Sequence, residues 1–79
     1  MGLEQVVQAI NESVREVLPE CVSRDFAPTE TLADLGANSV DRAEIIVMAL
    51  EKLGLRLPLV RLAQSRNLGE LADAIHGQN

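Results

Sequence analysis

The first eighteen residues place apolar side chains at Leu3, Val6, Val7, Ile10, Val14, Val17 and Leu18, three or four positions apart. Glu4, Gln8, Asn11, Glu12, Arg15 and Glu16 fall between them. That is the period of an α-helix with one face turned to a core. Pro19 ends it, because the ring removes the helical N–H and disfavours helical geometry in the residue before it. A chain of 79 residues buries only about 60% of the surface its unfolded form exposes. Such a helix must therefore find its partners within a compact set of local contacts, and residues 1–79 are expected to form one small soluble domain.

Further helices are marked downstream. From Pro19 to Ala37 the chain is polar and punctuated by Pro28 and Gly36. A loop of that length in a small domain is usually functional or locally ordered. Thr29 or Thr31 would cap a short turn whose Leu32 and Leu35 pin the loop to the core. A second helix is predicted from Asn38-Ser39 to Leu53, with Gly54 just past its C-terminus. Leu53-Gly54-Leu55-Arg56-Leu57-Pro58-Leu59 alternates like a strand, but Pro58 and the lack of a partner strand count against one. Val60 to Ala63 suggests a short helix. Leu68, Leu71, Ala72 and Ile75 mark a closing one, capped by Asn67 with Glu70 three residues on. The expected class is all-α, with three main helices and one short helix.

Several functions are excluded early. The longest apolar run, Ile45 to Leu50, falls far short of the roughly 20 residues that cross a bilayer. The N-terminus has no basic stretch ahead of an apolar one, so the default location is the cytoplasm. The net charge is −5, the basic residues Arg15, Arg24, Arg42, Lys52, Arg56, Arg61 and Arg66 are scattered, and Phe26 is the sole aromatic. Nucleic acid is not an expected partner of such a chain. Cys21 stands alone, so no intramolecular disulfide or thiolate metal cage can form. His76, the one histidine, lies at the chain end, where fraying opposes a Cys-His pair. No nucleophile with a base is evident, and an enzyme is not expected.

The most informative segment is the head of the second helix. Asn38 with Asp41 three residues later fits an N-cap better than Ser39 with Arg42 does. Ser39 is then spare: a hydroxyl in the first turn, at the positive end of a helix dipole, where free N–H groups suit a phosphate ester. Read alone, the pair also fits an ordinary helix start.

The stretch Leu32-Ala33-Asp34-Leu35-Gly36-Ala37-Asn38-Ser39-Val40-Asp41 resembles the acyl carrier proteins. Their signature is a Leu-Gly pair followed by Asp-Ser and Leu or Val at the head of the second helix. Here it stands as Leu35-Gly36-Ala37-Asn38-Ser39-Val40, with Asn38 where the family commonly has Asp. The order of helix, long loop, signature helix, short helix and closing helix extends the resemblance over nearly the whole chain. It implies an acyl-carrier-like four-helix bundle in which Ser39 bears 4'-phosphopantetheine, installed by a phosphopantetheinyl transferase. The arm's thiol would hold an acyl group as a thioester, making the protein a shuttle.

At about 100° per residue, Asp41, Glu44, Glu51 and Lys52 share one arc of the second helix, opposite Ala43, Ile46, Ala49, Leu50 and Leu53. Val40, Val47 and Met48 lie within or beside the charged arc. Apolar residues ringed by acids suit a docking surface for a basic partner, and Val40, Asp41, Glu44, Val47, Met48 and Glu51 are its candidates. The other reading packs Val47 and Met48 against the long loop and leaves the acids to solvate the helix.

A narrower resemblance lies in Asn38-Ser39-Val40-Asp41-Arg42-Ala43-Glu44-Ile45-Ile46 and Leu57-Pro58-Leu59-Val60. It is similar to the free-standing donor carriers of polyketide β-branching cassettes. That implies a malonyl thioester received from an acyltransferase, decarboxylated to acetyl by a decarboxylase and offered to an HMG-CoA synthase-like enzyme. Acceptor carriers of such cassettes typically have Trp six residues after the modified serine, where this chain has Ile45. The expected carrier is monomeric. A general polyketide or fatty-acid carrier and a non-covalent helical interaction module are the competing readings.

Overall fold

The computed structural model describes residues 2–19 and 26–77. Four helices are found among them: α1 (Leu3–Val17), α2 (Ser39–Leu53), α3 (Leu59–Ala63) and α4 (Leu68–Gly77). Helix α1 packs along α2 and against α4, and the short α3 bridges α2 and α4. No strand is present among the described residues.

Helix α1 starts where Gln5 Oε1 accepts from the Gly2 N–H at 3.0 Å and stops one residue before Pro19, at the Leu18 cap. Its buried face is Val6, Ala9, Ile10, Ser13 and Val14, with Asn11 beside it. Ser13 is tolerated inside because its hydroxyl donates to the Ala9 carbonyl at 2.7 Å. The apolar stripe is narrower than its periodicity suggests, since Leu3 and Val7 face solvent. Along α2 the core takes Ile45, Ile46, Ala49 and Leu50, whereas Ala43 and Leu53 are half-buried. Ile45, absent from the expected stripe, is fully buried because α2 is covered on more than one side by α1 and α3.

Two glycines end helical turns for the same reason. The N–H of Gly54 donates to the Glu51 carbonyl and that of Leu55 to the Leu50 carbonyl, with Gly54 at φ +70°. In the long loop the N–H of Gly36 donates to Ala33 and that of Ala37 to Leu32, with Gly36 at φ +94°. Both are six-residue C-terminal motifs that require a left-handed residue. Thr31 caps the loop's turn, its hydroxyl oxygen accepting from the Asp34 N–H at 2.9 Å, and Leu32 is buried as anticipated.

The alternating stretch after α2 is extended but unpaired. Leu55 and Leu57 pack against the core while Arg56 and Pro58 face water, so period-two burial arises from a strap laid over the bundle. Helix α3 begins at Leu59, one residue before the expected start. The expectation for Cys21 lies outside the described residues.

Candidate functional site

Asn38 organises the head of α2. Its Oδ1 accepts from the Asp41 N–H at 2.8 Å, and Asp41 Oδ2 accepts in return from the Asn38 N–H at 3.3 Å. The reciprocal pair fills the cap without Ser39. Ser39 is the first helical residue and is exposed. In this geometry the N–H groups of Ser39 and Val40 have no intrahelical acceptor. The approach is set by Gly36 and by buried Ala37, which turn the loop into the cap. The hydroxyl thus stands in solvent beside unpaired donors and the positive end of a fifteen-residue helix.

Ser39 lies where two concavities meet. One is a shallow apolar depression on α2, lined by Val40, Ala43, Val47 and Met48 with Glu44 at its edge. Val40 is 65% exposed and Val47 41%, so neither is taken up by the long loop. The other is a cleft of about 500 Å³ between the loop, α2, α3 and the start of α4. Ser39 and Ala43 belong to both.

The structure therefore brings Ser39, Val40, Glu44, Val47 and Met48 together. Asp41 is partly withdrawn, because its carboxylate serves the cap. Glu51 is exposed near the far end of α2, outside the depression. Lys52 is exposed, as expected of the solvated arc, and its Nζ lies 3.3 Å from Glu16 Oε1 of α1. Sequence reasoning missed the cleft, because Arg42 and Arg66 read as scattered charges until the fold placed both on its wall. No group of His, Cys, Asp and Glu suited to a metal occurs among the described residues.

A small helical bundle presenting a spare serine at the head of its second helix, beside an apolar patch and an open cleft, has the geometry that suits a carrier protein with a tethered group. The chain belongs to the acyl carrier proteins: the family model for the phosphopantetheine attachment site matches residues 8–75. It is 42% identical over 76 residues to the polyketide biosynthesis acyl-carrier-protein AcpK of Bacillus subtilis (strain 168), covering 96% of this chain and 93% of that one. It is also similar to a chain in the crystal structure of the curacin biosynthetic pathway HMG synthase in complex with acetyl donor-ACP. There the TM-score is 0.90 and the identity 44%, over 98% of this chain and 99% of that chain.

The protein is accordingly a carrier rather than a catalyst, its cofactor is phosphopantetheine, and the expected helical fold is the one found. Among the described residues no helix is long and apolar enough to cross a membrane.

Proposed function

We propose that Ser39 is the residue that bears 4'-phosphopantetheine and that the chain serves as an acetyl donor to an HMG-CoA synthase-like enzyme in polyketide β-branching. One observation carries the first part: an exposed serine at the first position of α2, released from capping by Asn38. The phosphodiester would sit against the Ser39 and Val40 N–H groups, a placement favoured by about 0.3–1 kcal/mol at an exposed helix terminus. The cofactor supplies a terminal thiol that holds the acyl group as a thioester; the chain supplies anchorage, charge and a docking face.

The likeness to a donor carrier bound to an HMG synthase supports the second part. So does Ile45, which fills the core where acceptor carriers of the resembling cassettes typically have Trp. Val40, Val47 and Met48 would be buried on docking. Asp41, Glu44 and Glu51 would steer a basic partner, and the contact would be brief because a shuttle must leave. The remaining partners follow from the cargo: a phosphopantetheinyl transferase, an acyltransferase that loads malonyl, and a decarboxylase, all meeting a monomeric carrier domain spanning residues 1–79 in the cytoplasm.

Intact-mass measurement tests the attachment. Incubation with coenzyme A and a broad-specificity transferase adds one phosphopantetheine to the wild type and none to Ser39→Ala. No gain on the wild type favours a non-covalent interaction module. The donor role is tested by offering acetyl and longer acyl forms to a candidate synthase, where equal turnover of all chains points to a general carrier.

A further inference from the structure

The cleft beside Ser39 has a charge character opposite to that of the whole molecule. The chain carries a net charge of −5, yet the cleft wall holds Arg42 and Arg66 and no Asp or Glu. Residues 54–67 contribute Arg56, Arg61 and Arg66 without a single acid. Among the described residues no ion pair engages Arg42 or Arg66, and both are exposed. Glu70 accepts from the Arg66 backbone N–H at 3.3 Å. Beneath this rim the floor is apolar, formed by Leu32, Ile46, Leu59, Leu62, Leu68 and Leu71. Thr31, Gln64 and Asn67 add neutral polar groups at the wall.

We infer that this cleft receives the arm when its acyl group ends in a carboxylate, with Arg42 and Arg66 gripping that carboxylate and the short methylene portion lying over the leucine floor. The inference rests on the reading of Ser39 as the attachment residue. Arg42 is three residues beyond Ser39 on the same helix, and Ser39 is itself part of the cleft, so an arm tethered there can fold back into it. A volume of about 500 Å³ falls within the usual range for small-molecule sites of roughly 300–1,000 Å³. Guanidinium is the side chain suited to a carboxylate, through charge-assisted and bidentate hydrogen bonds. On an acidic surface the anion is placed in a concavity whose wall holds Arg42 and Arg66 and no carboxylate. Decarboxylation of a malonyl thioester releases CO2, takes up one proton and leaves a methyl group. The grip is then lost, and the acetyl arm swings out toward the docking face. A dicarboxylic acyl group would be kept and its acetyl product presented.

The test compares malonyl and acetyl forms of the same holo carrier. Each is cleaved with hydroxylamine, and its rate is normalised to that of the corresponding coenzyme A thioester. The malonyl form is expected to be protected several-fold more than the acetyl form. The excess is expected to vanish in Arg42→Gln/Arg66→Gln and to shrink at high salt. Backbone amide shifts of Ser65, Arg66 and Asn67 should differ between the two forms in the wild type alone, and helical circular dichroism should be unchanged by the exposed substitutions. Equal normalised protection of the two acyl groups, or protection that survives the double variant, overturns this inference alone. A chain that gains no mass from coenzyme A overturns the Ser39 reading and this inference with it.

Discussion

Gly69 and Pro28 are held in direct backbone contact. The Gly69 N–H donates to the Pro28 carbonyl at 2.8 Å, and a Cβ on Gly69 would stand 3.0 Å from the Pro28 Cβ and 3.2 Å from its oxygen. The Leu68 N–H donates likewise to the Glu30 carbonyl at 2.9 Å. Two of the orphan donors at the head of α4 are thus satisfied by the long loop rather than by side chains. The loop's position, and with it one wall of the cleft beside Ser39, follows from this seam.

Gly69→Ala should loosen that seam. Alanine gains about 1 kcal/mol of helix propensity, but a methyl group against a rigid proline ring and a hydrogen-bonded carbonyl costs about 1–3 kcal/mol. The expected result is a net loss of about 1 kcal/mol in urea unfolding, with faster exchange of the Leu68 and Gly69 amide protons. An unchanged midpoint would show that the loop yields without cost.

Asn38→Ala removes the side-chain acceptor for the Asp41 N–H and should destabilise the protein by about 1 kcal/mol. Asn38→Asp keeps an acceptor there and should stay within about 0.5 kcal/mol of wild type. Chemical denaturation of the three proteins side by side checks this. Equal stability of the alanine variant would mean that Ser39 takes over the cap, in which case its hydroxyl is no longer spare and transferase loading should slow.

Ile45→Val should cost about 0.5–1.5 kcal/mol and Ile45→Ala about 2–5 kcal/mol, because the side chain is fully buried among packed helices. Thermal unfolding followed by circular dichroism reads both. A cost well below these ranges would indicate that α2 can rotate to close the cavity.

Glu44→Lys should leave helical circular dichroism unchanged, since the side chain is exposed and no ion pair is recorded for it among the described residues. It should slow association with a candidate synthase about 5-fold at low ionic strength, with the difference shrinking as salt is raised. Val47→Ser should weaken the complex with little dependence on salt. Loss of helicity in either variant would make the residue structural. Full association rates in both would place docking elsewhere.

Lys52→Ala breaks the Nζ to Glu16 pair at 3.3 Å, which lies at the surface, with both side chains partly exposed. Such pairs contribute about 0–1 kcal/mol, so unfolding should shift by less than that, and less still in high salt. A larger loss would mean that the lysine stem also packs between α1 and α2.

Local physics made much of this protein legible before any fold was known. The bounds of α2 follow from Asn38, Asp41 and Gly54, because caps and left-handed terminators act through neighbours a few residues away. Spare Ser39 follows from the same arithmetic of donors and acceptors. Helical periodicity put Leu3 and Val7 on the apolar face and left Ile45 unassigned, because period alone states that a helix has an apolar face and not how widely neighbours cover it. The alternating Leu55-to-Leu59 strap likewise records burial on one side, which a strand and an unpaired extended segment share.

What the sequence alone determined was the set of helices, the bounds of α2 and the hydroxyl at its head, since each depends on contacts within one or two turns. Only the tertiary structure decided that Pro28 and Glu30 close the head of α4, that Lys52 reaches Glu16, and that Arg42 and Arg66 meet across one cleft beside Ser39. Those pairings join residues far apart in the chain. Their meeting depends on how the packed helices direct the loops, which no local pattern encodes.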